Sequence, residues 1–131
     1  KLFLVPSQRC PDHVLRYLQA ALPSEYCMIA TNDQPNPYPG ILAMADAVIV
    51  TSDSVNMASE ATSTGKPVLI AYWRAETGRI AEFHQTMQDS NHTAPLTPLL
   101  PARPFVPLDE SDTIRRQINA RVMRALTHRA V

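Results

Sequence analysis

The feature that most constrains this chain is an alternation of short apolar runs with helical segments, repeated from one end to the other. Leu2 to Val5, Tyr26 to Ala30, Ala47 to Val50 and Val68 to Ala71 are each four or five residues long and nearly continuous in apolar side chains. Such runs suit strands covered on both faces, as in a parallel sheet. Between them lie segments with helical spacing. Asp12 to Ala21 places Val14, Leu15, Leu18 and the following Leu22 on one face; a short helix is predicted around Ile41 to Met44, and longer ones over Ser54 to Thr64 and Arg79 to Gln88. Gly65 stands where a helix end wants a residue tolerant of positive φ, and Pro67 prevents continuation. Asn91 to Pro107 carries five prolines and is predicted to be an extended surface wrap without regular structure. Asp109 then caps a last helix, with Asp112 in its first turn and Ile114, Ile118, Val122 and Ala125 as its apolar stripe. Strands alternating with helices predict an α/β domain, a mostly parallel sheet with helices on both sides.

The bulk numbers set the partner classes. With 131 residues and 45% apolar content, one domain with one core is expected. Twelve Lys plus Arg balance twelve Asp plus Glu, so the summed charge offers no long-range attraction to nucleic acid or to an anionic membrane. No apolar stretch approaches the roughly 20 residues a membrane span needs, and the first residues lack the order of a secretory signal. A soluble, cytoplasmic-type protein is expected. Cys10 and Cys27 are too few for a disulfide framework, and His13, His92 and His128 lack spaced partners, so no metal site is suggested. Lys1 is followed at once by the first strand, which reads as a fragment cut at a domain boundary; a processed small protein is the alternative.

Ligands of parallel α/β sheets bind beyond the carboxyl ends of the strands. That rule selects the loops Pro6 to Pro11, Asn32 to Gly40 and Thr51 to Asn56. The third is the most informative, because strand Ala47 to Val50 runs through a hydroxyl-rich turn into a helix. A helix N-terminus has unpartnered N–H groups and a positive dipole end, so a phosphate there gains hydrogen bonds and about 0.3–1 kcal/mol from the field. Thr51, Ser52, Ser54 and the free amides could hold a diphosphate, and Glu60, nearly two turns along, could accept from the vicinal hydroxyls of a ribose. The plain alternative is that Asp53 or Ser54 caps the helix and Glu60 is a surface carboxylate. In the first loop Ser7 and Arg9 leave the strand where Arg9 could fork onto a phosphate, or simply be solvated. Asn36-Pro37-Tyr38-Pro39-Gly40 reads as a rigid turn before a helix, with a nucleobase platform as the alternative. His84, alone in mid-helix beside Phe83, reads as structural, and Lys66, Arg74 and Arg79 as solvated surface charges.

The run from Asp46 to Pro67 resembles the nucleotide-sugar signature of glycosyltransferases with two Rossmann-like domains, the GT-B architecture, in which a Glu on the helix after such a turn holds the ribose. Glu60 matches that position. Ser7-Gln8-Arg9-Cys10-Pro11, Asn36-Pro37-Tyr38, Thr51 to Ala61 and Arg103-Pro104-Phe105 together resemble the mitochondrial-fission "elongated mitochondria" family, also labelled nucleoside-diphosphate-sugar epimerase-like. The family's usual first-loop pattern is Ser-Arg-Arg-Thr-Pro, from which Gln8 and Cys10 depart.

The resemblance implies that this is a three-layer Rossmann-like domain, the C-terminal half of a GT-B protein whose N-terminal domain is absent. It further implies a UDP- or GDP-type nucleotide sugar held by Ser7, Arg9, Thr51, Ser52, Asp53, Ser54, Asn56 and Glu60, and metal-independent transfer with no cofactor. The base and acceptor would belong to the other domain, so the isolated chain would be inactive. The epimerase label fits less well, because three glycines include no Gly-X-Gly-X-X-Gly turn. A second implication is an adaptor that kept the fold and recruits a protein partner, as plant relatives are associated with a dynamin-like fission protein.

Overall fold

The computed structural model describes residues 1–7, 10–30, 36–99 and 101–128. The chain divides into two compact units, 1–45 and 46–131.

In the first unit, strand β1 (Leu2–Leu4) leads through helix α1 (Asp12–Ala21) to strand β2 (Cys27–Ile29), and helix α2 (Tyr38–Met44) closes the unit. The strands pair in parallel with Leu2 opposite Cys27 and Leu4 opposite Ile29. Parallel pairing requires a crossover, and α1 provides it. Leu22 N–H returns to the Leu18 carbonyl at 2.9 Å and ends α1. The Asn36 side-chain oxygen accepts from Tyr38 N–H at 3.0 Å, and this Asx contact starts α2 at Tyr38, so Tyr38, Pro39 and Gly40 of the predicted turn are helical instead.

The second unit continues the alternation with β3 (Val48–Thr51), α3 (Val55–Thr62), β4 (Val68–Ala71), α4 (Gly78–Asp89), β5 (Ala94–Pro95) and α5 (Ser111–His128). Its sheet has the order β3-β4-β5, and both pairings are parallel. The central strand carries the core: Val68 and Ile70 are fully buried and Leu69 nearly so, as the unbroken apolar run requires. Ala58 and Ala61 of α3 are also fully buried. Their small side chains let the helix backbone approach β4 closely. The expected α/β class with parallel, Rossmann-like connectivity is the one the chain adopts.

In this unit two segments differ from the sequence reading, for identifiable reasons. Helix α3 stops at Thr62 rather than Thr64, because the Ser63 and Thr64 hydroxyls take the carbonyls of Glu60 and Ala61 at 2.7 Å each, and Gly65 turns the chain with φ 72°. The proline-rich wrap is not wholly irregular. Ala94 and Pro95 pair with Leu69 and Ile70 as an edge strand, and Leu96 N–H reaches the Ile70 carbonyl at 2.9 Å. Further on, Val106 N–H bonds the Asn91 carbonyl at 3.0 Å and Leu108 N–H the Thr62 carbonyl at 3.1 Å, which tie the wrap down at two points. Asn91, with φ 58°, provides the left-handed turn that ends α4.

Helix α5 starts where Asp109 accepts from Ser111 N–H at 2.9 Å, as its sequence predicts. Its stripe stays open: Ile114, Ile118 and Val122 are 53%, 54% and 49% exposed. The Ala125 side chain lies outside the described residues. No helix among the described residues is long and apolar enough to cross a membrane.

Candidate functional site

Six of the eight candidate residues lie on one continuous β3-turn-α3 segment of the second unit. Ser54 is the N-cap of α3 but makes no side-chain capping bond; its amide turns back to the Thr51 carbonyl at 3.1 Å. The first intrahelical bond is from Ala58 N–H to the Ser54 carbonyl at 3.0 Å, which leaves the amides of Val55, Asn56 and Met57 facing out of the helix end. Thr51 is exposed, and Asp53 and Ser54 are half-buried. Asn56 and Glu60 are both exposed and four residues apart, so they share one face, with Glu60 roughly 7–8 Å along the axis from the helix start. Ser7 lies exposed in the loop after β1, in the first unit. Arg9 lies outside the described residues.

Ser52 is differently placed. It is fully buried; its N–H bonds the Ala71 carbonyl at 3.1 Å, which extends the β3–β4 pairing by one residue. Its hydroxyl donates to Glu76 Oε1 at 2.7 Å, and its carbonyl accepts from His84 Nε2 at 2.6 Å. A carbonyl only accepts, so Nε2 carries the ring proton. The turn is thus clamped from beneath by a carboxylate on the β4–α4 loop and an imidazole on α4. The Ser52 hydroxyl is spent inside the protein. His84 is 2% exposed and sits edge-on to Tyr72 and Phe83, with ring centroids 5.6 and 5.1 Å away, in agreement with its structural reading.

Glu76 was not indicated by the sequence, and its side chain is only 5% exposed. Arg74 Nε approaches the same Oε1 at 3.5 Å from a side chain that is 57% exposed, and the Arg74 guanidinium lies 5.0 Å from the centre of the Trp73 ring. Beside this pair, beyond the carboxyl ends of β4 and β5, opens a pocket of about 340 Å³. Its polar wall is Tyr72, Glu76, His84, Gln85 and Gln88, and Ala81 and Pro95 complete it. Tyr72 oxygen accepts from Gln88 Nε2 at 2.7 Å. Burial pushes the Tyr72 phenol up, the Gln88 hydrogen bond draws it down, and the Glu76 charge raises it again. The carboxyl-end rule could have found this pocket had it been applied to the fourth strand as well as to the first three.

These features define an α/β protein of Rossmann-like connectivity with a polar strand-turn-helix end. The chain belongs to the mitochondrial fission ELM1 family, whose model matches residues 1–122. A stretch of 61 residues is 46% identical to the mitochondrial fission protein ELM1 of Arabidopsis thaliana, covering 47% of this chain and 14% of the relative. Another of 40 residues is 52% identical to an uncharacterized protein of Rickettsia prowazekii, covering 30% of this chain and 11% of that protein. The matched stretches are therefore small parts of much longer relatives. No solved structure matches.

Proposed function

We propose that this chain is the nucleoside-diphosphate-sugar-binding domain of a GT-B-like, glycosyltransferase-related protein that also has an N-terminal domain. The observation that carries the reading is the α3 start, where three outward amides stand beyond the end of a parallel strand and exposed Asn56 and Glu60 share one face. The amides suit a diphosphate, and the carboxylate at roughly 7–8 Å suits the hydroxyls of the attached ribose. Within this reading Thr51, Ser54 and Asn56 are the side chains available to phosphate or sugar. Ser52 holds the turn through its bonds to Glu76 and His84 rather than touching ligand. Asp53, half-buried beside the turn, suits a sugar hydroxyl better than a phosphate. Ser7 and Arg9 remain proposed phosphate contacts of the first loop.

A thermal-shift panel with UDP, GDP, ADP and CDP tests it, since a ligand at about 100 times its Kd adds about 2.7 kcal/mol to stability. A shift with UDP or GDP that Glu60→Ala removes is the expected result. No shift with any nucleotide, in this chain and in the longer protein, would overturn it. A second reading, an adaptor that recruits a protein partner, draws on one observation: the open apolar stripe of α5, which an interacting surface would cover.

A further inference from the structure

We propose that the pocket between the β4–α4 loop and α4 binds a primary alkylammonium group, a site separate from the α3 turn and independent of the reading given for it. The pocket wall holds one carboxylate, Glu76, among uncommitted polar groups. Gln85 Nε2 donates to Asp89 Oδ1 at 2.8 Å, and a carboxylate can only accept, so the Gln85 amide oxygen is left as an acceptor. Gln88 Nε2 gives one hydrogen to the Tyr72 oxygen, which leaves the Gln88 amide oxygen as an acceptor likewise. Glu76 uses Oε1 for Ser52 and for Arg74, and Oε2 has no partner among the described residues. The wall therefore carries spare acceptors on Glu76 Oε2, Gln85, Gln88 and His84 Nδ1, beside spare donor hydrogens on Tyr72 and on the Gln85 and Gln88 amides, and Glu76 is its one carboxylate. An ammonium offers three donors to these acceptors, and its positive charge meets the Glu76 carboxylate.

The rest of the pocket suits the remainder of such a ligand. Ala81, Pro95 and the Tyr72 ring supply apolar surface for a methylene stem, and about 340 Å³ accommodates a chain of several carbons. A carboxylate in the wall disfavours an anion, and the Tyr72 phenol, raised in part by Glu76, registers the same negative field. One competitor is built in. The Arg74 guanidinium reaches Glu76 Oε1 through Nε at 3.5 Å from a mostly exposed side chain, and an incoming ammonium would compete with it for the carboxylate.

The test titrates the full chain with butylammonium chloride, 1-butanol and sodium butyrate at constant ionic strength, following the Gln85 and Gln88 side-chain amide signals by NMR. Butylammonium should move both signals saturably, and the alcohol and the carboxylate should not. Glu76→Gln should weaken butylammonium binding at least about tenfold, and Gln85→Leu, an exposed change that leaves the Ser52 clamp intact, should weaken it several-fold. Arg74→Gln should tighten it several-fold by removing the internal competitor, an effect no purely structural role of Arg74 produces. Equal binding of 1-butanol, an unchanged affinity in Gln85→Leu, or no response to butylammonium would each overturn the proposal. Should Glu76→Gln fail to fold, the Gln85 and Arg74 variants decide the matter.

Discussion

Replacing Ser52 by Ala isolates the clamp beneath the α3 turn. The change removes one oxygen from a fully buried site and leaves the β3–β4 backbone bond and the His84 contact in place. What is lost is a 2.7 Å hydrogen bond to a carboxylate whose side chain is 5% exposed. A hydrogen bond to a charged group contributes about 1.5–3 kcal/mol, and burial on this scale leaves little solvent to replace it. Ser52→Ala should therefore destabilise the second unit by about 1.5–3 kcal/mol. Thr51→Ala, one residue earlier and exposed, should change stability by less than about 0.5 kcal/mol. Trp73, the single tryptophan, lies in the second unit, so urea unfolding followed by its fluorescence reports on this unit specifically. A double-mutant cycle with Glu76→Gln should return a coupling of about 0.5–3 kcal/mol. A Ser52→Ala variant as stable as the parent, with additive effects in the cycle, would refute the clamp and return the hydroxyl to the ligand side of the turn.

Four other outcomes follow from local geometry. Gly65→Ala should cost about 2–4 kcal/mol, combining the left-handed backbone at φ 72° with a Cβ that would stand 2.9 Å from Pro107 Cγ. Gly78→Ala, at φ 58° with open space around the added carbon, should cost only about 1–2 kcal/mol; equal losses in chemical denaturation would remove the Pro107 contact from the account. The Asp109 carboxyl is held below its ordinary value of 3.8, first by its hydrogen bond to Ser111, so the stability it gives α5 is present above 3.8 and is lost as pH falls through the folded value. Helix signal in circular dichroism should show that acid loss in the parent and a weaker one in Asp109→Asn. The Tyr72 phenol is raised above 10.0, chiefly by burial, so the folded protein keeps this proton when the unfolded chain has lost it, and stability falls as pH rises past 10.0. A difference titration of phenolate absorbance against Tyr72→Phe should place Tyr72 above a free tyrosine, and Glu76→Gln should bring it down.

Much of the architecture could be read from local pattern because it depends on local pattern. The run Val68 to Ala71 is a strand, and Asp12 to Ala21 a helix, at the residues where hydrophobic periodicity placed them. The strand at Ala94 and Pro95 escaped because two residues carry no periodicity, and what makes them a strand is Leu69 and Ile70, some 25 positions earlier. The same division holds at the site. The β3-turn-α3 segment was visible as a contiguous motif, and Asn56 and Glu60 stand exposed on it. The fate of Ser52 was not visible. A serine in a polar turn looks available to a ligand until Glu76, 24 residues away, is brought beneath it. Glu76 itself sits in a loop with no signature, and only the fold gives its carboxylate a partner.

Pro95 has a consequence for how this protein behaves in a crowded solution. In β5 the Leu96 N–H points inward to Ile70, so by strand alternation position 95 is the one whose amide would point away from the sheet. Proline has no amide hydrogen there. A passing extended segment that tried to add itself along β5 would find no donor at the second of its two residues, and the ring would stand in its path. The β5 edge is thus blunted toward edge-to-edge association. Replacing Pro95 by a β-branched residue such as valine would restore the missing donor and turn a blunted border into a seed for intermolecular pairing.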